Sequence, residues 1–173
     1  MPRVAVLTLI LTASCFAVAQ DKGPVVNAGE EILTARQKNM VAAAEEMPEN
    51  KYSFKPTPQQ MTFGHMVEHM AKSNYFLCSK LSGAAAPQQQ ATEKDGKTKL
   101  VAALKSSFDY CSEVIGKLDQ ARLGDPVELW GGKKATKAAA LFDLTNDWAD
   151  HYAAAAIYLR LNGLLPPTAK AKE

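Results

Sequence analysis

Apolar residues recur at three- and four-residue spacing over four stretches of the chain, and that period predicts four amphipathic helices. The first is expected over residues 29–46, ending before Pro48, because the residue preceding a proline disfavours helix. The second is expected from about Thr62, a good N-cap, to Gly83. Its stripe is Phe63, Met66, Val67, Met70, Leu77 and Leu81, with Asn74 as a polar exception. The third, over residues 98–118, carries the clearest seam: Val101, Leu104, Phe108, Cys111, Ile115 and Leu118. The fourth is expected over residues 136–162, with Leu141, Leu144, Trp148, His151, Ala155 and Tyr158 on one stripe. Asn162-Gly163 followed by Pro166-Pro167 stops it.

Between these stretches the chain reads as loop. Pro56-Thr57-Pro58 lies in a polar connection, residues 83–96 form a low-complexity linker with an alanine and a glutamine run, and Gly124, Pro126 and Gly131-Gly132 mark a third loop. Four apolar stripes close most simply into a four-helix bundle, so the fold class is all-α, in one domain over residues 29–165.

The first nineteen residues read differently. Arg3, an apolar run from Val4 to Thr12 and the small residues Ala17-Val18-Ala19 have the form of a signal peptide cleaved before Gln20. Lipoprotein processing at Cys15 is the weaker alternative, because Thr12 occupies the position where a bulky aliphatic residue belongs. Either route places the mature chain in a periplasmic or secreted setting, with no stable transmembrane segment after processing. The chain has 20 basic and 18 acidic residues, and the removal of Arg3 leaves a net charge of +1. That balance lacks the basic face a nucleic-acid partner requires.

Three histidines occur in the chain. Asp147 and His151 are four apart and project from one helical face. On the second helix His69 lies about 110° from the stripe centre, at its edge, whereas His65 lies about 150° away, toward solvent. If the second and fourth helices are antiparallel, His69 and His151 come within roughly 6 Å axially, and His69, Asp147 and His151 can share a divalent cation. The competing reading is a boundary histidine and a solvated helix charge. Trp148 and Tyr152 flank the pair, where they either line a pocket or belong to the core.

Longer stretches carry a resemblance. Met47-Pro48-Glu49-Asn50-Lys51-Tyr52-Ser53-Phe54, Phe63-Gly64, His69, Asn74-Tyr75-Phe76-Leu77-Cys78, Ser107-Phe108-Asp109-Tyr110-Cys111, Asp150-His151-Tyr152 and Tyr158 to Pro167 occur in the order found in the DinB/YfiT superfamily. The chain resembles that family over nearly all of its mature length. The resemblance implies an up-down-down-up bundle with a three-histidine site for a divalent cation of zinc or nickel type. One ligand comes from the second helix and two come from an H-x-x-x-H pair on the fourth. His69 and His151 match the outer positions, and Asp147 stands at the middle one. Two histidines and a carboxylate still form a recognised open arrangement, with altered metal preference. The family contains thiol-dependent transferases and isomerases, so the resemblance implies a metal-dependent transferase or hydrolase acting on a small molecule. The alternative is a non-catalytic exported bundle serving as a binding module, and a homodimer is compatible with either.

Cys78 and Cys111 remain after the leader is removed. They are near the same end of their helices if those helices are parallel, and roughly 15–20 Å apart if antiparallel. The up-down-down-up order implied by the resemblance makes the second and third helices parallel, and so makes a Cys78–Cys111 disulfide feasible. Two buried thiols are the alternative.

Overall fold

A computed structural model describes residues 22–89 and 91–170. The expected leader and Cys15 lie outside the described residues. The four helices are α1 (Pro24–Glu46), α2 (Phe63–Ser82), α3 (Lys97–Gly116) and α4 (Lys137–Leu161). Among the described residues, no helix is long and apolar enough to cross a membrane.

The helix ends follow local chemistry. The Thr62 side chain accepts from the His65 N–H at the start of α2, and the Thr136 side chain accepts from the Ala139 N–H at the start of α4. Each satisfies a backbone donor that a helix start otherwise leaves open. Gly83 closes α2 in the left-handed region, at φ 78°. The start of α1 corrects the expected boundary at residue 29. Proline at the first turn loses no hydrogen bond, so Pro24 opens the helix five residues earlier and brings Val26 into the core.

Helix directions follow from cross-helix partners. Gln37 of α1 donates to Asp109 of α3, and Lys105, earlier in α3, pairs with Glu45, later in α1, so α1 and α3 are antiparallel. Cys78 and Cys111, both near the C-terminal ends of α2 and α3, are joined as a disulfide with their Cα atoms 5.4 Å apart, so α2 and α3 are parallel. Trp148 of α4 meets Asn74 of α2, and Tyr158, later in α4, donates to the Met61 carbonyl just before α2, so α2 and α4 are antiparallel. The order is therefore up-down-down-up. The pairs α2–α3, α2–α4, α1–α3 and α1–α4 form the four sides of the bundle.

The core is where the apolar spacing places it. Every stripe residue of α2 and α3 is buried, and on α4 only His151 is less than buried. The loop before α4 departs from the expectation of irregular chain. It holds a small antiparallel hairpin, β1 (Pro126–Glu128) and β2 (Lys134–Thr136), with Trp130 in its turn. Gly131 and Gly132 take φ of 67° and 78°, which side chains with a Cβ rarely adopt, and so allow the chain to reverse there.

One polar group lies at the centre of the core. Asn74 is fully buried. Its Nδ2 donates to Ser107 Oγ of α3 at 2.9 Å, and its Oδ1 accepts from Trp148 Nε1 of α4 at 2.6 Å. Indole nitrogen only donates, so the amide can face this pair in one orientation. Ser107 in turn donates to the Leu104 carbonyl at 2.7 Å. Asn74→Ala leaves the buried Trp148 donor without a partner and opens a small void, and is expected to lower stability by about 2–4 kcal/mol. Urea unfolding monitored by circular dichroism measures this, and a loss below about 0.5 kcal/mol would contradict a structural role for the amide.

Candidate metal centre

Because α2 and α4 run antiparallel, the face of α2 just before Asn74 lies against the face of α4 around Trp148. His69 sits about one and a half turns before Asn74, and Asp147 and His151 bracket Trp148. One ligand atom from each of His69, Asp147 and His151 falls within 4.8 Å of the others. The two imidazole rings are 4.8 Å apart between centroids and tilted by 34°. All three side chains are half-buried.

The hydrogen bonding assigns the roles of the histidine nitrogens. His151 Nδ1 lies 2.8 Å from the Asp147 carbonyl oxygen. A carbonyl only accepts, so this bond requires the proton on Nδ1 and leaves the Nε2 lone pair free for a cation. His151 Nδ1 is also 3.4 Å from Asp147 Oδ1. Asp147 Oδ2 is buried with no hydrogen-bond partner. A buried carboxylate oxygen without a donor is costly, and a cation is the natural partner for it.

The electrostatics follow from burial. Burial pushes the Asp147 carboxyl above the usual carboxylate range, against the pull of the two histidines and a hydrogen bond from Ser73. Burial also lowers His69, reinforced by the neighbouring His151 and opposed by Asp147. Both groups are thus driven toward their neutral forms when nothing else occupies the site. Neutral imidazole is the form that ligates, and a divalent charge would favour the ionised carboxylate. Two borderline nitrogens and one harder oxygen make a donor set that could hold a divalent cation.

The surroundings decide between the two readings of Trp148 and Tyr152 and add four residues. Trp148 is wholly buried on Asn74, and the buried Tyr152 bonds Thr168 through its hydroxyl at 2.9 Å, so neither lines a pocket. A groove of about 610 Å³ opens instead beside His69 and Asp147, and it is bounded by Lys72, Ser73, Phe76 and Trp130. Ser73 is one turn beyond His69 on the same face, which spacing alone shows in retrospect. Trp130 comes from the hairpin turn, and no helical period points to it. His151 faces a second groove, of about 300 Å³, next to Met66, Asp150 and Tyr158. His65 is apart from the site and pairs with Glu93 at 2.9 Å on the surface.

A four-helix bundle of this order, with candidate ligands on its second and fourth helices, is the arrangement the comparisons match. The model of the DinB superfamily matches residues 32–154, and the chain belongs to that superfamily. Solved structures share the fold. A DinB-like protein of Bacillus subtilis, YjoA, is 21% identical with a TM-score of 0.68, covering 84% of this chain and 100% of that one. A DinB-like protein of Bacillus cereus ATCC 10987 is 12% identical with a TM-score of 0.68, covering 82% and 95%. A mycothiol-dependent maleylpyruvate isomerase is 10% identical with a TM-score of 0.61, covering 74% of this chain and 59% of that one. None of the curated proteins matches the chain.

The raised Asp147 has a consequence for stability. The unfolded chain loses the Asp147 proton at the ordinary carboxylate value, while the metal-free folded chain holds it to higher pH, so folding stability falls as pH rises through that window. His69 acts at the other side: its lowered value makes the folded state the poorer proton binder, so stability falls as pH drops through the ordinary histidine value. At pH 7 only the Asp147 penalty operates. Asp147→Asn is therefore expected to raise the Tm of chelator-treated protein by roughly 2–4 °C at pH 7. It is also expected to abolish any rise in Tm on adding zinc. Differential scanning calorimetry at pH 4 and pH 7 checks the sign, and a lower Tm for the metal-free variant at pH 7 would contradict it.

Proposed function

We propose that the chain is an exported DinB-like protein that binds a divalent cation through His69, Asp147 and His151 and uses it in transfer or hydrolysis on a small molecule. The observation that carries this reading is the buried, unpartnered Asp147 Oδ2 in a cluster with His69 and His151, one ligand atom of each residue lying within 4.8 Å of the others. When bound there, a cation supplies Lewis-acid chemistry and lowers the pKa of a coordinated water or thiol. Three protein ligands leave at least one coordination position open, as catalytic sites require and closed structural sites do not. The adjoining groove gives a small molecule access to that position. The residues divide the work: His151, oriented by the Asp147 carbonyl, presents Nε2; Ser73 supports the carboxylate; and His69 completes the set from α2.

The likeness to a thiol-dependent isomerase supports group-transfer or isomerisation chemistry in this fold. The leader-like N-terminus supports a setting outside the cytoplasm, where cytoplasmic low-molecular-weight thiols are scarce, and this favours hydrolysis or an external thiol. A second reading, a non-catalytic bundle that binds a partner or stores a metal, is favoured by Asp147 at a position where the family pattern has histidine.

Metal analysis of the purified protein tests the core of the proposal. Wild type is expected to hold close to one equivalent of zinc or nickel after dialysis, and His151→Ala less than about a tenth of that, since removal of one of three ligands costs several kcal/mol of affinity. Equal metal in the two proteins would sink the shared site. N-terminal sequencing of the same preparation is expected to begin at Gln20, and an intact Met1 would refute export by cleavage.

A further inference from the structure

We infer that the groove beside the metal centre selects small organic acids bearing an aromatic ring, with Trp130 as the residue that recognises the ring. This rests on the metal-binding reading above and extends it to a class of ligand. Trp130 is 51% exposed, although an indole is among the most favourable side chains to bury. It is nevertheless held in place. Its ring stacks on Phe76 with centroids 4.4 Å apart and planes 21° from parallel, and Lys80 Nζ lies 4.8 Å from the centre of the Phe76 ring. It stands in the hairpin turn, next to two glycines in the left-handed region. The result is a positioned aromatic surface that borders the groove rather than the core.

The opposite part of the groove calls for negative charge. Of the six residues lining it, only Asp147 is acidic, and a divalent cation over-compensates that charge. Lys72 adds an ammonium group at the rim. It is 60% exposed and is anchored by the buried Glu68 one turn earlier, which leaves its remaining N–H donors for a ligand. The two ends are also spaced for one molecule. His69 and Phe76 are seven residues apart on α2, about 10 Å along the helix axis. A carboxylate on the cation, a two-carbon spacer and a phenyl ring against Trp130 span that distance once the metal–oxygen and ring-stacking separations are included. The ligand class is therefore an arylalkanoic acid rather than a bare carboxylate.

The test is calorimetric titration of the zinc-loaded full-length protein with 3-phenylpropionate and, as a control of the same charge, propionate. Wild type is expected to bind 3-phenylpropionate at least about tenfold more tightly than propionate. Trp130→Ala is expected to remove that preference while leaving zinc content and propionate binding unchanged, whereas Trp130→Phe keeps most of it, in line with the loss of one ring contact of about this size. Trp148 is fully buried, so acrylamide quenching of the wild-type emission reports Trp130, and 3-phenylpropionate is expected to reduce that quenching. Zinc present at one equivalent with no preference for the ring, or with unaltered quenching, would overturn the groove assignment and leave the metal site standing. Absence of zinc from the wild type would overturn both.

Discussion

The hydrogen bonds of the Asn74 carboxamide set the relation among three helices. Through Ser107 and Trp148 the amide ties α2 to α3 and to α4 at the level of the core where these helices cross. Apolar packing alone tolerates sliding by a turn, because one leucine knob resembles another. A buried amide does not, since any slip strands a donor or acceptor away from water. The candidate metal site depends on this register. His69 reaches the space between Asp147 and His151 only while Asn74 sits opposite Trp148. A slip of one helical turn, about 5.4 Å, would exceed the 4.8 Å within which the three ligand atoms lie. The disulfide between Cys78 and Cys111, one turn beyond Asn74 on α2, fixes the α2–α3 side of the same level.

Around that register the protein accepts local strain in its electrostatics. A carboxylate with a buried, unpartnered oxygen and a histidine pushed toward neutrality are each unfavourable in a metal-free bundle. Both become favourable together when a cation enters, because it offers the charge the carboxylate lacks and needs the lone pairs the histidines retain. The same residues thus oppose stability in one state and support binding in the other, the usual sign of a functional site.

The sequence was most informative where contacts repeat with helical period. The stripes of α2, α3 and α4 located the core residue by residue, and Thr62, Gly83 and Thr136 marked ends that the backbone confirms. The direction of each helix was not in those periods; it came from the family resemblance, and the structure agrees. Asn74 was visible as an interruption in an apolar stripe, but its role depends on Ser107 and Trp148, 33 and 74 residues away. The hairpin was missed because strands of three residues carry too little alternation to register. With it went Trp130, whose partner Phe76 lies on α2. Trp148 and Tyr152 suit either a pocket wall or the core by their spacing; the inward side of α4 buries both, and the groove is walled mainly from α2 and the hairpin.

The convergence of α2 and α4 on a shared site is tested by where a cation binds and what holds it. X-ray absorption spectroscopy at the metal edge, on protein reconstituted with one equivalent of zinc, observes this directly. Two imidazole nitrogens and one carboxylate oxygen at about 2.0–2.2 Å, with the remaining coordination filled by solvent, is the predicted environment. In His69→Ala one imidazole contribution should be lost. A shell of solvent oxygens alone, or a spectrum unchanged in His69→Ala, would show that the metal lies elsewhere and would contradict the convergence of α2 and α4 on a shared site.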